Sequence, residues 1–131
     1  MGNRVRSLLD SHTLLWWFID PAKLSNAVSN ELGMRENSIL VSPASIWELA
    51  IKSKSGKLDA QGFLDRVDDL LMEASFELLP ITPDHAVRAG FLPQIHRDPF
   101  DRMLAAQAQA ESLTILSKDA VFDHYGVRRL W

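Results

Sequence analysis

"DPFDRMLAAQAQAESLTILSKD", residues 98–119, holds a helix and a strand in one stretch. Asp98 stands before Pro99, an acid-then-proline start in which the carboxylate caps the helix and proline takes the first helical position. Asp101 is then the third helical residue, where negative charge suits the positive end of the macrodipole. Alanines carry the helix towards Glu111. "LTIL" (113–116) follows as a short apolar run with the length and bounds of a buried strand, closed by Ser117, Lys118 and Asp119. A helix that feeds a buried strand is half of a βαβ unit.

Working outward, the same alternation repeats. "VRSLL" (5–9), "SILV" (38–41), "FELLP" (76–80) and "GVRRLW" (126–131) read as further strands. Between them, "SHTLLWWFI" and "SNAVSNELGMRE" read as helices, the latter with Ala27, Val28, Leu32 and Met34 at helical spacing. Ser42-Pro43 begins "PASIWELAIKSKSGK", with Ile46, Leu49 and Ala50 on one stripe and a stop near Gly56. "FLDRVDDLLMEA" reads as one amphipathic helix, and Thr82-Pro83 starts another. Strands alternating with helices predict an α/β fold: one domain, 1–131, with a mostly parallel sheet of roughly five strands between helical layers.

Composition narrows the chemistry. The chain of 131 residues has no cysteine, which excludes disulfides, thiolate metal sites and a cysteine nucleophile. A net charge of −3 offers no global attraction to polyanions, so a nucleic-acid partner would need a local basic patch or bound cations. No apolar run reaches membrane-spanning length and the N-terminus lacks a signal-peptide core, so the cytoplasm is expected. Neither G-x-G-x-x-G nor G-x-x-x-x-G-K-[ST] occurs, which argues against dinucleotide and nucleotide triphosphate enzymes.

In an open parallel sheet, ligands bind beyond the carboxyl ends of the strands. Asp10 closes the first strand, Ser42 the second, and Glu48 lies on the helix that follows. Asp119 comes just after the strand at 113–116, and Asp98 and Asp101 begin the helix leading into it. Each acid has a plain structural role available. Asp10, Asp98 and Asp119 can cap, and Glu48 can pair with Lys52 four residues on, although the apolar surroundings of Glu48 point to partial burial. Together they suggest another role, because carboxylates gathered at one edge repel unless neutralised. Mg2+ or Mn2+ is the natural neutraliser, and such a site activates water and steadies the charge on a phosphodiester.

At "LLDSHTLLWW", "SPASIWELAIKSKSGKL", "DPFDRMLAAQAQAESLTILSKD" and "YGVRRLW" the chain resembles PIN-domain ribonucleases, specifically the VapC-type toxins of bacterial type II toxin–antitoxin pairs. The resemblance runs essentially end to end. It implies a PIN-like α/β/α sandwich and a Mg2+- or Mn2+-dependent endoribonuclease that leaves a 5′-phosphate and a 3′-hydroxyl. It maps the acidic quartet onto Asp10, Glu48, Asp101 and Asp119 as metal-binding catalytic residues, leaving Asp98 as the cap. Ser11 is expected to orient Asp10 or a ligand water, or else to cap the next helix, with Asp98 and Ser117 as further supporting residues. The resemblance also implies a homodimer and a cognate antitoxin whose arginine pairs with the carboxylates, a match of guanidinium and carboxylate geometry.

RNA contact calls for positive charge near the acids. Lys52, Lys54 and Lys57 follow Glu48, while Arg97, Arg102 and Lys118 flank the other acids; a solvated basic face explains them equally well. Single-stranded or looped RNA is the expected substrate class, because its phosphates and bases are accessible. His12 and His96 adjoin the acids, where contact with phosphate is one reading and satisfying local hydrogen bonds the preferred one. Trp16 and Trp17 cannot both face one core, and Trp47 and Trp131 read as core. Two rivals remain: a receiver- or phosphatase-like phosphotransfer domain, and a PIN-like module that binds RNA or protein without cutting.

Overall fold

The computed structural model describes residues 6–94 and 98–131. Five strands form one sheet: β1 (Arg6–Leu9), β2 (Ser38–Val41), β3 (Glu77–Leu78), β4 (Thr114–Leu116) and β5 (Arg129–Leu130). Their order is β3-β2-β1-β4-β5 and every pairing is parallel. The helices are α1 (Ser11–Ile19), α2 (Asn26–Gly33), α3 (Pro43–Lys54), α4 (Gln61–Asp65), α5 (Val67–Glu73), α6 (Pro83–Phe91) and α7 (Pro99–Glu111). Short 3-10 turns at Pro21–Lys23 and Ala120–Tyr125 complete the order. The expected α/β sandwich with a five-stranded parallel sheet is thus observed.

Strand alternation divides the core in two. Leu9, Ile39, Val41 and Leu116 face one layer, where Leu14, Val28, Leu49, Phe63 and Leu71 cover them. Leu8, Leu40 and Ile115 face the other, against Leu104, Ala105, Ala108 and Phe122. Successive strand side chains point to opposite faces, so a continuous apolar run such as "SILV" fits a strand buried on both sides. The small residues Ala105 and Ala108 on α7 bring that helix close to the sheet.

The edges are shorter than the sequence suggests. β3 keeps two residues of the expected 76–80, and β5 two of the expected 126–131. Both are edge strands with only one neighbour to pair with. The helix expected over "FLDRVDDLLMEA" is two helices, interrupted where Arg66 takes φ −124° and ψ 23°. On α3 the buried stripe is Ala44, Ser45, Glu48 and Leu49, while Ala50 is exposed. On α2 only Val28 and Leu32 are buried; Ala27 and Met34 face outward.

The tryptophans also correct the sequence reading. Trp47 is 64% exposed, standing edge-on to Phe100 at 5.2 Å rather than in the core. Trp16 and Trp17 are both half-buried against the same core layer, through Trp131 and Phe76 respectively. The wide indole rings reach the core from both flanks of α1. Trp131 is half-buried there, as expected of a core contact.

Among the described residues, no helix is long and apolar enough to cross a membrane.

Candidate active site

The strand order reverses beside β1. The chain lays β2 and β3 on one flank and then crosses to place β4 and β5 on the other. Side-chain ligands of open α/β sheets gather at such a switch, beyond the carboxyl ends of the strands. Asp10 follows β1 there and Ser117 follows β4.

Asp10 is 7% exposed and tightly held. Its Oδ1 accepts from the Thr13 backbone N–H at 2.8 Å, capping α1, and its Oδ2 accepts from the Ser117 hydroxyl. Burial nonetheless pushes its carboxyl above the ordinary value, outweighing the donors from Ser117 and Thr13. Ser117 Oγ also accepts from the Asp119 backbone N–H at 3.0 Å, so one buried hydroxyl fixes the first acid and the approach to the last.

Glu48 projects from α3 and is 3% exposed. Ser11 Oγ donates to its Oε1 at 2.7 Å and Lys52 Nζ to its Oε2 at 2.7 Å. The α3 helix is set against β1 at its first turn, where Ser42 caps the helix and Ser45 Oγ donates to the Leu9 carbonyl at 3.4 Å. The two supporting serines therefore divide the work across the chain: Ser11, next to Asp10 in sequence, serves Glu48, and Ser117 serves Asp10.

Asp98 is the N-cap of α7, accepting from the Phe100 N–H at 2.9 Å. Asp101 sits one turn in, half-buried. Its carboxyl is pushed up to about 8, first by burial, then by the charges of Asp98, Glu48, Asp10 and Asp119. Asp119 is exposed and caps the 3-10 turn at Ala120–Tyr125 through Val121 N–H at 3.0 Å. The capping roles and the site roles thus coexist in the same side chains.

These acids line one cleft of about 160 Å3, formed by Asp10, Ser11, Glu48, Asp98, Asp101 and Asp119 together with His12 and Lys52. All four residues of the expected quartet and two of the three supporting residues meet there; Ser117 lies just beneath. Among the described residues, no three acidic or histidine side chains form a ready-made ligand set as they stand. The donors still fit a hard divalent cation. They are all carboxylate oxygens, burial and then their crowding raise Asp101, and Mg2+ is usually held by one or two carboxylates with water filling the remaining positions.

The basic residues separate into different roles. Lys52 is engaged with Glu48; partial burial lowers its ammonium, but the Glu48 hydrogen bond and the charges of Glu48, Asp98 and Asp101 raise it above the ordinary value. Lys54, Lys57 and Lys118 are exposed. Arg102 turns away from the expected RNA contact: its Nη2 donates to the carbonyls of Ala89, Gly90 and Leu92 at 2.7, 3.3 and 3.2 Å, closing the end of α6. Arg97 and His96 lie outside the described residues. Sequence reasoning missed Arg129, whose Nη1 donates to the Ser117 carbonyl at 3.2 Å while Asp123 holds the guanidinium from the other side. No linear motif marks that contact.

A sheet of this order with acids at its switch point defines a class. Residues 7–127 match the PIN domain family model, and the chain belongs to that family. Ribonuclease VapC22 of Mycobacterium tuberculosis is 31% identical over 114 residues, spanning 86% of this chain and 85% of that protein. VapBC2 from Rickettsia felis, solved bound to a DNA fragment from their promoter, superposes with a TM-score of 0.71 at 17% identity, covering 96% of this chain and 98% of its own. A toxin–antitoxin complex from Klebsiella pneumoniae gives a TM-score of 0.60 at 18% identity, covering 87% of each chain.

Proposed function

We propose that this PIN domain is a VapC-like ribonuclease, the toxin of a toxin–antitoxin pair, which hydrolyses RNA phosphodiester bonds at the acid cleft. The observation that carries the reading is that Asp10, Glu48, Asp101 and Asp119, scattered over the sequence, line one cleft. The relative named a ribonuclease supports it at 31% identity over most of both chains.

Mg2+ or Mn2+ would be held by Asp10 and Asp101, with Glu48 and Asp119 reaching it directly or through water. Such an ion lowers the pKa of a coordinated water and neutralises charge on the phosphate. The chain's residues prepare that chemistry. Ser117 and the Thr13 N–H leave Asp10 with a fixed orientation, and Ser11 and Lys52 do the same for Glu48. Attack in line with the leaving 3′-oxygen would leave a 5′-phosphate and a 3′-hydroxyl. No histidine base is needed. Single-stranded or looped RNA suits the cleft, with Lys57 and Lys118 exposed in the hollows that adjoin it and Lys54 exposed on α3.

The partners follow from the same charges. A cognate antitoxin would silence the cleft by placing an arginine against the carboxylates, and the chain would act as a homodimer in the cytoplasm. Phosphotransfer at Asp10 is disfavoured, because the chain matches the PIN domain over residues 7–127 and its 31% identical relative is named a ribonuclease.

The test is cleavage of cellular RNA by the purified protein, with Mg2+ or Mn2+ and with EDTA, mapped by end sequencing. Chelation should abolish cutting. Asp10→Asn and Asp101→Ala should do the same while the protein still unfolds in one cooperative transition. Cutting at the wild-type rate by Asp101→Ala would refute the assignment.

A further inference from the structure

His12 stands where three hollows meet. It lines the acid cleft, a second hollow with Trp16, Lys118 and Asp119, and a larger groove of about 550 Å3 beside α1. That groove is walled by Trp16, Lys23 and Lys57, with Lys52 shared between it and the acids. The His12 ring is exposed and lies tilted on Trp16, with centroids 5.5 Å apart. Trp16 is braced from another side by the edge of Trp131 at 6.0 Å, and Lys23 Nζ lies 5.7 Å from its ring centroid. An aromatic surface flanked by ammonium groups therefore opens directly off the acids.

We propose that the His12–Trp16 surface and the groove behind it seat the RNA on one side of the scissile bond, and that His12 sets the base preference there. The proposal rests on the ribonuclease reading above and deepens it. Single-stranded nucleic acid is held by the same two features found here: aromatic rings on which bases stack, and cations that track the backbone. His12 supplies a π-face in the lining that the acid cleft shares with the groove. Lys57 supplies an exposed ammonium in the groove. Of the groove's lysines, Lys23 pairs with Asp20 at 3.7 Å and Lys52 with Glu48 at 2.7 Å, while Lys57 is exposed on its wall. A strand crossing from one to the other keeps its reacting phosphate over the acids and its neighbouring phosphates over lysines.

The experiment measures binding and cutting separately. Binding uses a short fluorescently labelled single-stranded RNA of mixed sequence in EDTA, followed by anisotropy; cutting uses cellular RNA with Mg2+, mapped by end sequencing. His12→Ala, an exposed substitution, should weaken binding about tenfold and alter the base distribution at the nucleotide next to the cut. Lys57→Ala should weaken binding without altering that distribution, and should lower the slope of log affinity against log salt by about 0.7. RNA binding and cleavage pattern unchanged in both His12→Ala and Lys57→Ala, each still folded, overturns the proposal; so does finding that these variants lose only an arginine-bearing peptide. If the parent cuts no RNA at all, the ribonuclease reading fails, yet His12-dependent binding in EDTA still supports the groove.

Discussion

Ser117 donates its hydroxyl to Oδ2 of Asp10, 107 residues earlier in the chain. The contact joins the ends of the two adjacent strands at the switch point, and the same hydroxyl receives the Asp119 N–H. Groups that orient metal-binding carboxylates are usually worth about 10–100-fold in activity or metal affinity. Ser117→Ala should therefore lower kcat by about that factor while the protein stays folded, whereas Ser117→Thr should retain most activity. Kinetics with a defined RNA and a thermal melt check both halves. An unchanged kcat in Ser117→Ala would show that Asp10 needs no such anchor.

Lys52 and Glu48 form a second pair, and their removal is asymmetric. Glu48 is 3% exposed, so taking away the ammonium leaves a buried carboxylate with the Ser11 hydroxyl as its donor. Breaking a buried pair from one side is costly, but Lys52 is itself partly solvated, which reduces the effect to about 2 kcal/mol. Lys52→Met should lower stability by that amount in urea denaturation. The double substitution Glu48→Gln with Lys52→Met should recover much of it, because no unpaired charge remains. If the single variant unfolds at the parent's urea concentration, the pair is a solvated surface contact.

The sequence carried the frame of this site and left its wiring obscure, for physical reasons. Apolar runs bounded by caps reveal strands and helices because burial and capping act over neighbouring residues. The position of Asp10, Asp119 and Asp101 near strand or helix ends is local in the same sense. Which serine serves which acid is not local. Ser11 neighbours Asp10 yet bonds Glu48, and Ser117 reaches Asp10 only because β4 lies beside β1. Trp47 shows the complementary failure. Its hydrophobicity suggested core, but the α3 stripe that packs inward is made of smaller residues and Glu48. The grouping of His12, Trp16, Lys23 and Lys57 is likewise produced by tertiary placement.

Asp101 makes stability depend on pH in a stated direction. Its carboxyl lies at about 8 in the folded protein against an ordinary 3.8. Between those values the folded chain keeps a proton that the unfolded chain has released, so stability falls as pH rises across the window. The benefit is fully present below the unfolded value and is lost once pH passes the folded one. Asp10 is shifted in the same direction. In EDTA the melting temperature should fall between about pH 4 and pH 8, and Asp101→Asn should flatten the decline and melt higher at the alkaline end. Mg2+ or Mn2+ should raise the parent's melting temperature more at pH 8 than at pH 5, since the ionised acids are the ones that bind it. A metal-free melting temperature that rises with pH over this range would contradict the burial and crowding that raise Asp101.

Arg102 separates a capping cation from a substrate-binding one. Three carbonyls at the end of α6 accept from its Nη2, where a helix leaves carbonyls without partners. Arg102→Ala should lower stability by about 1–2 kcal/mol, the scale of charged hydrogen bonds lost at a helix end. Arg102→Lys should recover part of this, because an ammonium lacks the planar fork. Neither change should alter KM for RNA or the bases beside the cut, in contrast with His12→Ala. Urea denaturation and product mapping on the same preparations decide it: a raised KM with unchanged stability would return Arg102 to the RNA-binding face, and the opposite pattern keeps it with the fold.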